Sequence, residues 1–170
     1  ILSIAVSEIG AISEKRINYF MNGVENKIPQ FCALNPGLES GFMLAHVTTA
    51  ALASENKTLS HPASVDSIST SAGMEDFVSM APWSAKKCLK IIDNVRSILA
   101  IELMVAANVN FRFHSNYNSS PHLSNLMKLF QEQDILKKKD VPFQEIIEFV
   151  ISIIKNEKIL QNIKKTLKLK

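Results

Sequence analysis

An acidic pair, Glu75 and Asp76, stands between Met74 and Phe77 in the stretch DSISTSAGMEDFVSM, residues 66–80. Small turn-forming residues from Ser67 to Gly73 lead into it, and the apolar flanks suggest a loop that packs down. Burial of Glu75 there would disfavour its charged form by desolvation. Such a carboxylate suits proton transfer or reception of a cationic substrate group. The structural alternative is an acidic residue that caps a helix or fixes a turn.

Other candidates carry less chemistry. Ser71-Ala72-Gly73 is no nucleophile elbow, since GxSxG is missing and no strand precedes it. Ser40-Gly41 reads as a helix cap. Glu102, the one charge in the apolar run ILAIELMVAANV, reads as a buried hydrogen-bond or inter-helix partner. Glu55, beside Asn56 and Lys57 at a helix end, is either structural or borders a site. The four histidines have no HxxxH or carboxylate partner at ligand spacing, so no metal site is expected. His61, before Pro62, reads as a helix-boundary residue. Cys32 and Cys88 form no CxxC pair and fit a reducing cytoplasm.

The elements that must position these residues are helices. The first is expected over 1–22, stopping at Asn22-Gly23. A connector with Pro29, Pro36 and Gly37 follows, and Ser40 caps a second helix that runs to Lys57. Residues 58–82 form a long irregular stretch, of a length usually functional or disordered, and its apolar content argues against disorder. A third helix spans 83–108. Its first half has a wet face (Lys86, Lys87, Lys90, Asp93, Asn94) and a dry one (Cys88, Ile91, Ile92, Val95). Its second half, residues 98–109, is apolar on every side except at Glu102 and needs neighbours all round. So few helices in one chain would leave it bare, so other chains are expected to cover it. Helices at 121–132, 143–155 and 157–168 complete an all-α reading without repeats.

The 170 residues carry 46% hydrophobic and 21% charged side chains, which points to a packed chain rather than a disordered one. The net charge of +3 is too small to imply a nucleic-acid partner. Six lysines against one glutamate in residues 151–170 read as a solvated amphipathic helix rather than a phosphate or membrane contact. No stretch reads as a membrane span. The opening ILSIAVSEIG lacks an initiator Met and reads as a helix already under way, so the chain is expected to be part of a longer protein.

The run SGFMLAHVTTAALASENKTLSHPASVDSISTSAGMEDFVSMAPWSAKK, continuing to ILAIELMVAA, resembles the C-terminal half of bacterial histidine ammonia-lyases. The opening IAVSEIGAISEKRI is similar to the family's preceding helix. The likeness extends from residue 1 to about 113 and thins beyond it.

The resemblance implies a cytoplasmic lyase of histidine catabolism that converts L-histidine to trans-urocanate and ammonia. It implies a homotetramer of long antiparallel helices forming a shared bundle core. Residues 1–113 would be the helical core with a substrate-site loop at 58–82, and residues 114–170 a small helical region. The family's electrophile is a methylidene-imidazolone built from an internal Ala-Ser-Gly, expected outside this chain together with the catalytic tyrosine. No catalytic residue is therefore expected here, and the chain alone should be inactive. By the same resemblance Glu75 faces the substrate beside Met74, with Asp76 and Phe77 supporting the loop. Gly73, Met74 and Phe77 stand where the family usually has Asn, Gln and His. That departure keeps open another aromatic ammonia-lyase or aminomutase, and, in a different class, a non-catalytic helical oligomerisation module.

Overall fold

The computed structural model describes residues 1–25, 27–117, 119–132, 142–156 and 161. It is all-helical: α1 Leu2–Met21, α2 Met43–Leu59, α3 Ala81–Phe113, α4 Pro121–Glu132 and α5 Phe143–Lys155. Among the described residues the only extended pairings are isolated bridges. The helix expected over 157–168 lies outside the described residues, residue 161 excepted.

Buried Gly10, Ser13, Glu14, Ile17 and Met21 recur at three- and four-residue spacing and form the inner stripe of α1. Gly10 brings α1 close to α3, where a Cβ would lie 3.0 Å from a methyl of Val95. The helix stops where expected. Asn22 is the cap and Gly23 takes φ +80°, a conformation glycine adopts without steric penalty.

The start of α2 corrects the sequence reading. Phe42, not Ser40, is the cap residue, and no side chain caps it. Ser40 and Gly41 are used in a turn that docks on the connector, where Phe42 N–H donates to the Phe31 carbonyl at 2.9 Å. Gly41 has φ +52°, and a Cβ there would overlap that same carbonyl. The α3 helix is longer at both ends than expected. Pro82 is accommodated in its first turn, where a missing N–H breaks no helical bond.

The apolar run 98–109 needs no second chain to cover most of it. Helices α1, α2 and α5 all pack on α3. Ile98, Ala100, Ile101, Met104, Val105, Ala107 and Val109 are all buried. Phe130, Ile146 and Val150 from α4 and α5 join the same core. Phe143 at the start of α5 stacks on Phe42 at 5.1 Å, which fixes α5 against the α2 end of the molecule. Each such side chain contributes about 1.5–3 kcal/mol on burial. Apolar surface is left elsewhere: Ile4, Ile9, Ile12 and Tyr19 on α1 and Leu44 and Val47 on α2 are exposed. No described helix is long and apolar enough to cross a membrane.

Candidate functional site

The segment between α2 and α3 is irregular but internally tied. A short turn, Ala63–Val65, buries Ala63 and packs on α3. The Ser67 hydroxyl oxygen accepts the Val78 N–H at 3.0 Å and closes the neck of the loop. Inside the neck, Thr70 N–H donates to Glu75 O at 2.8 Å, and Glu75 N–H returns to Thr70 O at 3.3 Å. The chain reverses between them through Ser71–Gly73, with Ser71 and Ala72 at φ +54° and +56°. Left-handed backbone at two residues with a Cβ is strained, and such strain concentrates at functional loops.

The expected burial of this loop is not what the chain alone provides. Glu75 and Asp76 are exposed, with Met74 88% and Phe77 84% accessible. No described helix covers the tip, so among the described residues the apolar flanks stay bare. Neither the Glu75 nor the Asp76 carboxylate has a hydrogen-bond or ion-pair partner among the described residues. The ties that hold the loop come from Ser67 and from the backbone of Thr70 and Glu75. A groove of about 850 Å³ runs beside it, between Phe77, Val78 and Met80, the first turns of α3 at Ala81 and Cys88, and Leu2 of α1.

The remaining candidates fall in separate places. Glu102 is an inter-helix partner, accepting Ser13 Oγ at 2.6 Å and pairing with Arg16 at 2.8 Å. Glu55 borders a polar hub under the end of α2. Asn94 Nδ2 donates to Glu55 Oε2 at 2.6 Å and to Asn56 Oδ1 at 2.9 Å. The Ser60 hydroxyl bonds Ser7 of α1 at 2.6 Å and the Asn56 carbonyl at 2.7 Å. His61 follows the α2 cap residue Ser60 and is a boundary residue. Both cysteines are free thiols, and burial pushes Cys32 up to about 12, against a smaller opposing pull from Arg112. Among the described residues no group of three His, Cys, Asp or Glu lies together as a metal would need.

Two residues assigned to the wet face of α3 are buried, Lys87 and Asn94. The Lys87 ammonium donates to the His61 carbonyl and lies 5.9 Å from the centre of the Trp83 ring. Their spacing carried the signal: Lys87, Ile91, Asn94, Val95 and Ile98 follow a three- and four-residue rhythm along one stripe. Reading charge as exposure concealed it.

A profile described as aromatic amino acid lyase matches residues 1–132. The chain belongs to that family. Similar relatives include the histidine ammonia-lyase of Burkholderia cenocepacia, 51% identical over 133 residues, covering 78% of this chain and 26% of that protein. That of Rhodospirillum rubrum is 46% identical over 153 residues, covering 90% of this chain and 30% of the relative. Among solved structures, histidine ammonia-lyase from Trypanosoma cruzi superposes with a TM-score of 0.87 at 38% identity, covering 96% of this chain and 32% of that one. A tyrosine aminomutase from Streptomyces globisporus gives 0.83 at 28% identity, covering 96% and 31%. The chain thus spans about a quarter to a third of the length of these lyase-family relatives. Its 170 residues contain no Ala-Ser-Gly. Ser71-Ala72-Gly73 lacks a hydroxyl on its middle residue, and Glu39-Ser40-Gly41 lies in the connector.

Proposed function

We propose that this chain is the C-terminal portion of a histidine ammonia-lyase-like enzyme, cytoplasmic and tetrameric, that converts L-histidine to trans-urocanate and ammonia. In this reading the segment supplies no catalytic residue. It contributes the substrate-facing carboxylate Glu75, with Met74 beside it and Asp76 and Phe77 supporting the loop against surfaces outside this chain. The carrying observation is the tied, strained loop that holds Glu75 outward between two bare apolar side chains. A carboxylate so presented can hold an imidazole or ammonium group once a second surface closes over it and excludes water. The exposed faces of α1 and α2 are the surfaces we assign to subunit contacts.

The electrophile the reaction needs would come from another part of the enzyme. A second reading rests on Met74 and Phe77. Two apolar neighbours suit a carbocyclic aromatic ring better than a polar imidazole, which favours another aromatic ammonia-lyase or aminomutase. Should the parent enzyme lack the Ala-Ser-Gly segment, the chain is a helical oligomerisation module instead.

The test is a substrate profile of the full-length enzyme alongside the isolated chain. Urocanate absorbance should rise with L-histidine for the enzyme and stay flat for the chain. Turnover of L-tyrosine or L-phenylalanine without histidine turnover would replace the first reading with the second. Sustained urocanate formation by the isolated chain would defeat both.

A further inference from the structure

Lys87 is only 8% exposed, and no described carboxylate pairs with it. Its ammonium meets the carbonyl of His61, with the Trp83 ring alongside. Removing an ammonium from water is costly, and one carbonyl with one ring face does not fully replace its hydration. An apolar side chain of similar length would avoid that cost but leave the His61 carbonyl without its donor, so the two effects offset in stability. The charge is therefore best understood through what it holds.

What it holds is the carbonyl of His61, the residue just past the α2 cap Ser60. His61 is followed by Pro62, whose ring fixes φ near −62° and which has no N–H to tie the chain down locally. Lys87 lies in the second turn of α3, the helix that receives the other end of the loop at Ala81. One side chain thus clasps the start of the loop to the element that ends it. Outward from the clasp lie the further ties of the loop: Ala63 against α3, Ser67 to Val78 at the neck, and Thr70 to Glu75 at the tip.

We propose that Lys87 is a positioning residue that, through the His61 carbonyl, fixes how the 61–80 loop leaves α2 and hence where Glu75 stands. The inference rests on the reading of Glu75 as the substrate-facing carboxylate, and its test separates the two. In the chain itself, Lys87→Met should speed amide exchange across residues 66–78 while amides of 98–109 and the melting temperature hold. Lys87→Arg, which keeps the charged donor, should restore protection.

In the full-length enzyme Lys87→Met should lower kcat/KM by about ten- to a hundredfold, the scale of a reacting group displaced by about 1 Å. Added to Glu75→Gln it should cost nothing further, because it acts through that carboxylate. Unchanged loop exchange, or a fall in melting temperature with exchange rising throughout α3, would overturn the clasp. Losses that multiply in the double variant would overturn its action through Glu75. If Glu75→Gln leaves turnover intact while Lys87→Met still loosens the loop, the clasp stands and the reading of Glu75 fails.

Discussion

Ser13 on α1 donates to Glu102 on α3 at 2.6 Å, joining two helices whose residues are 89 positions apart. Arg16, one turn further along α1, grips the other carboxylate oxygen at 2.8 Å. Glu102 is the charge that interrupts the apolar run 98–109, and its place is explained by α1 rather than by chemistry. Ser13 is fully buried, so its hydroxyl depends on this acceptor.

Glu102→Ala should therefore destabilise the fold by about 1–3 kcal/mol, the cost of leaving a buried donor unpaired. Glu102→Gln, which keeps an acceptor, should lose less. Urea denaturation of both variants checks the order, and equal losses would remove the hydrogen bond from the explanation.

Glu75→Gln should leave stability within about 0.5 kcal/mol, as expected at an exposed position without partners. In the full-length enzyme kcat/KM should fall about ten- to a hundredfold, since hydrogen bonds to charged groups contribute about 1.5–3 kcal/mol. Asp76→Asn should be silent in the melting temperature of the chain. A Glu75→Gln variant that melts early but turns over normally would mark the residue as structural.

Self-association should depend on α1 rather than on α3. Ile12→Glu places a charge among the exposed apolar residues Ile9, Tyr19 and their neighbours. Sedimentation at high concentration should show the wild-type chain associating and the variant shifted toward monomer. A wild-type chain that stays monomeric throughout would count against this face as a contact surface.

Cys32 should make alkaline stability steeper. Burial raises its thiol from 9.0 to about 12 in the folded chain, so the folded state keeps a proton that the unfolded state releases. The contribution is whole below about pH 9 and is lost as pH rises toward about 12. Between neutral pH and about pH 10.5, wild type should thus lose more stability than Cys32→Ala. In the folded chain a thiol reagent should modify Cys88, which is partly accessible, well before Cys32.

Local pattern alone determined that this chain is helical and where most helices lie. The apolar rhythm at three and four residues placed α4 and α5 to the residue, and Asn22-Gly23 ended α1, because these depend on neighbours in sequence. The likeness to the lyase family was also written in the residue order from 1 to 113. Tertiary structure decided which charges are inside and which apolar residues are out. Lys87 and Asn94 read as solvent-facing by type, yet Lys87 turns to the His61 carbonyl just past α2, and Asn94 to Glu55 and Asn56 near its end. Residues 98–109 read as bare until α5, brought in by Phe143 on Phe42, covered them. Glu75 read as buried because Met74 and Phe77 flank it, and it is exposed because none of the described elements reaches across the loop. Burial is a property of long-range contacts, and no window of sequence contains both partners of such a contact.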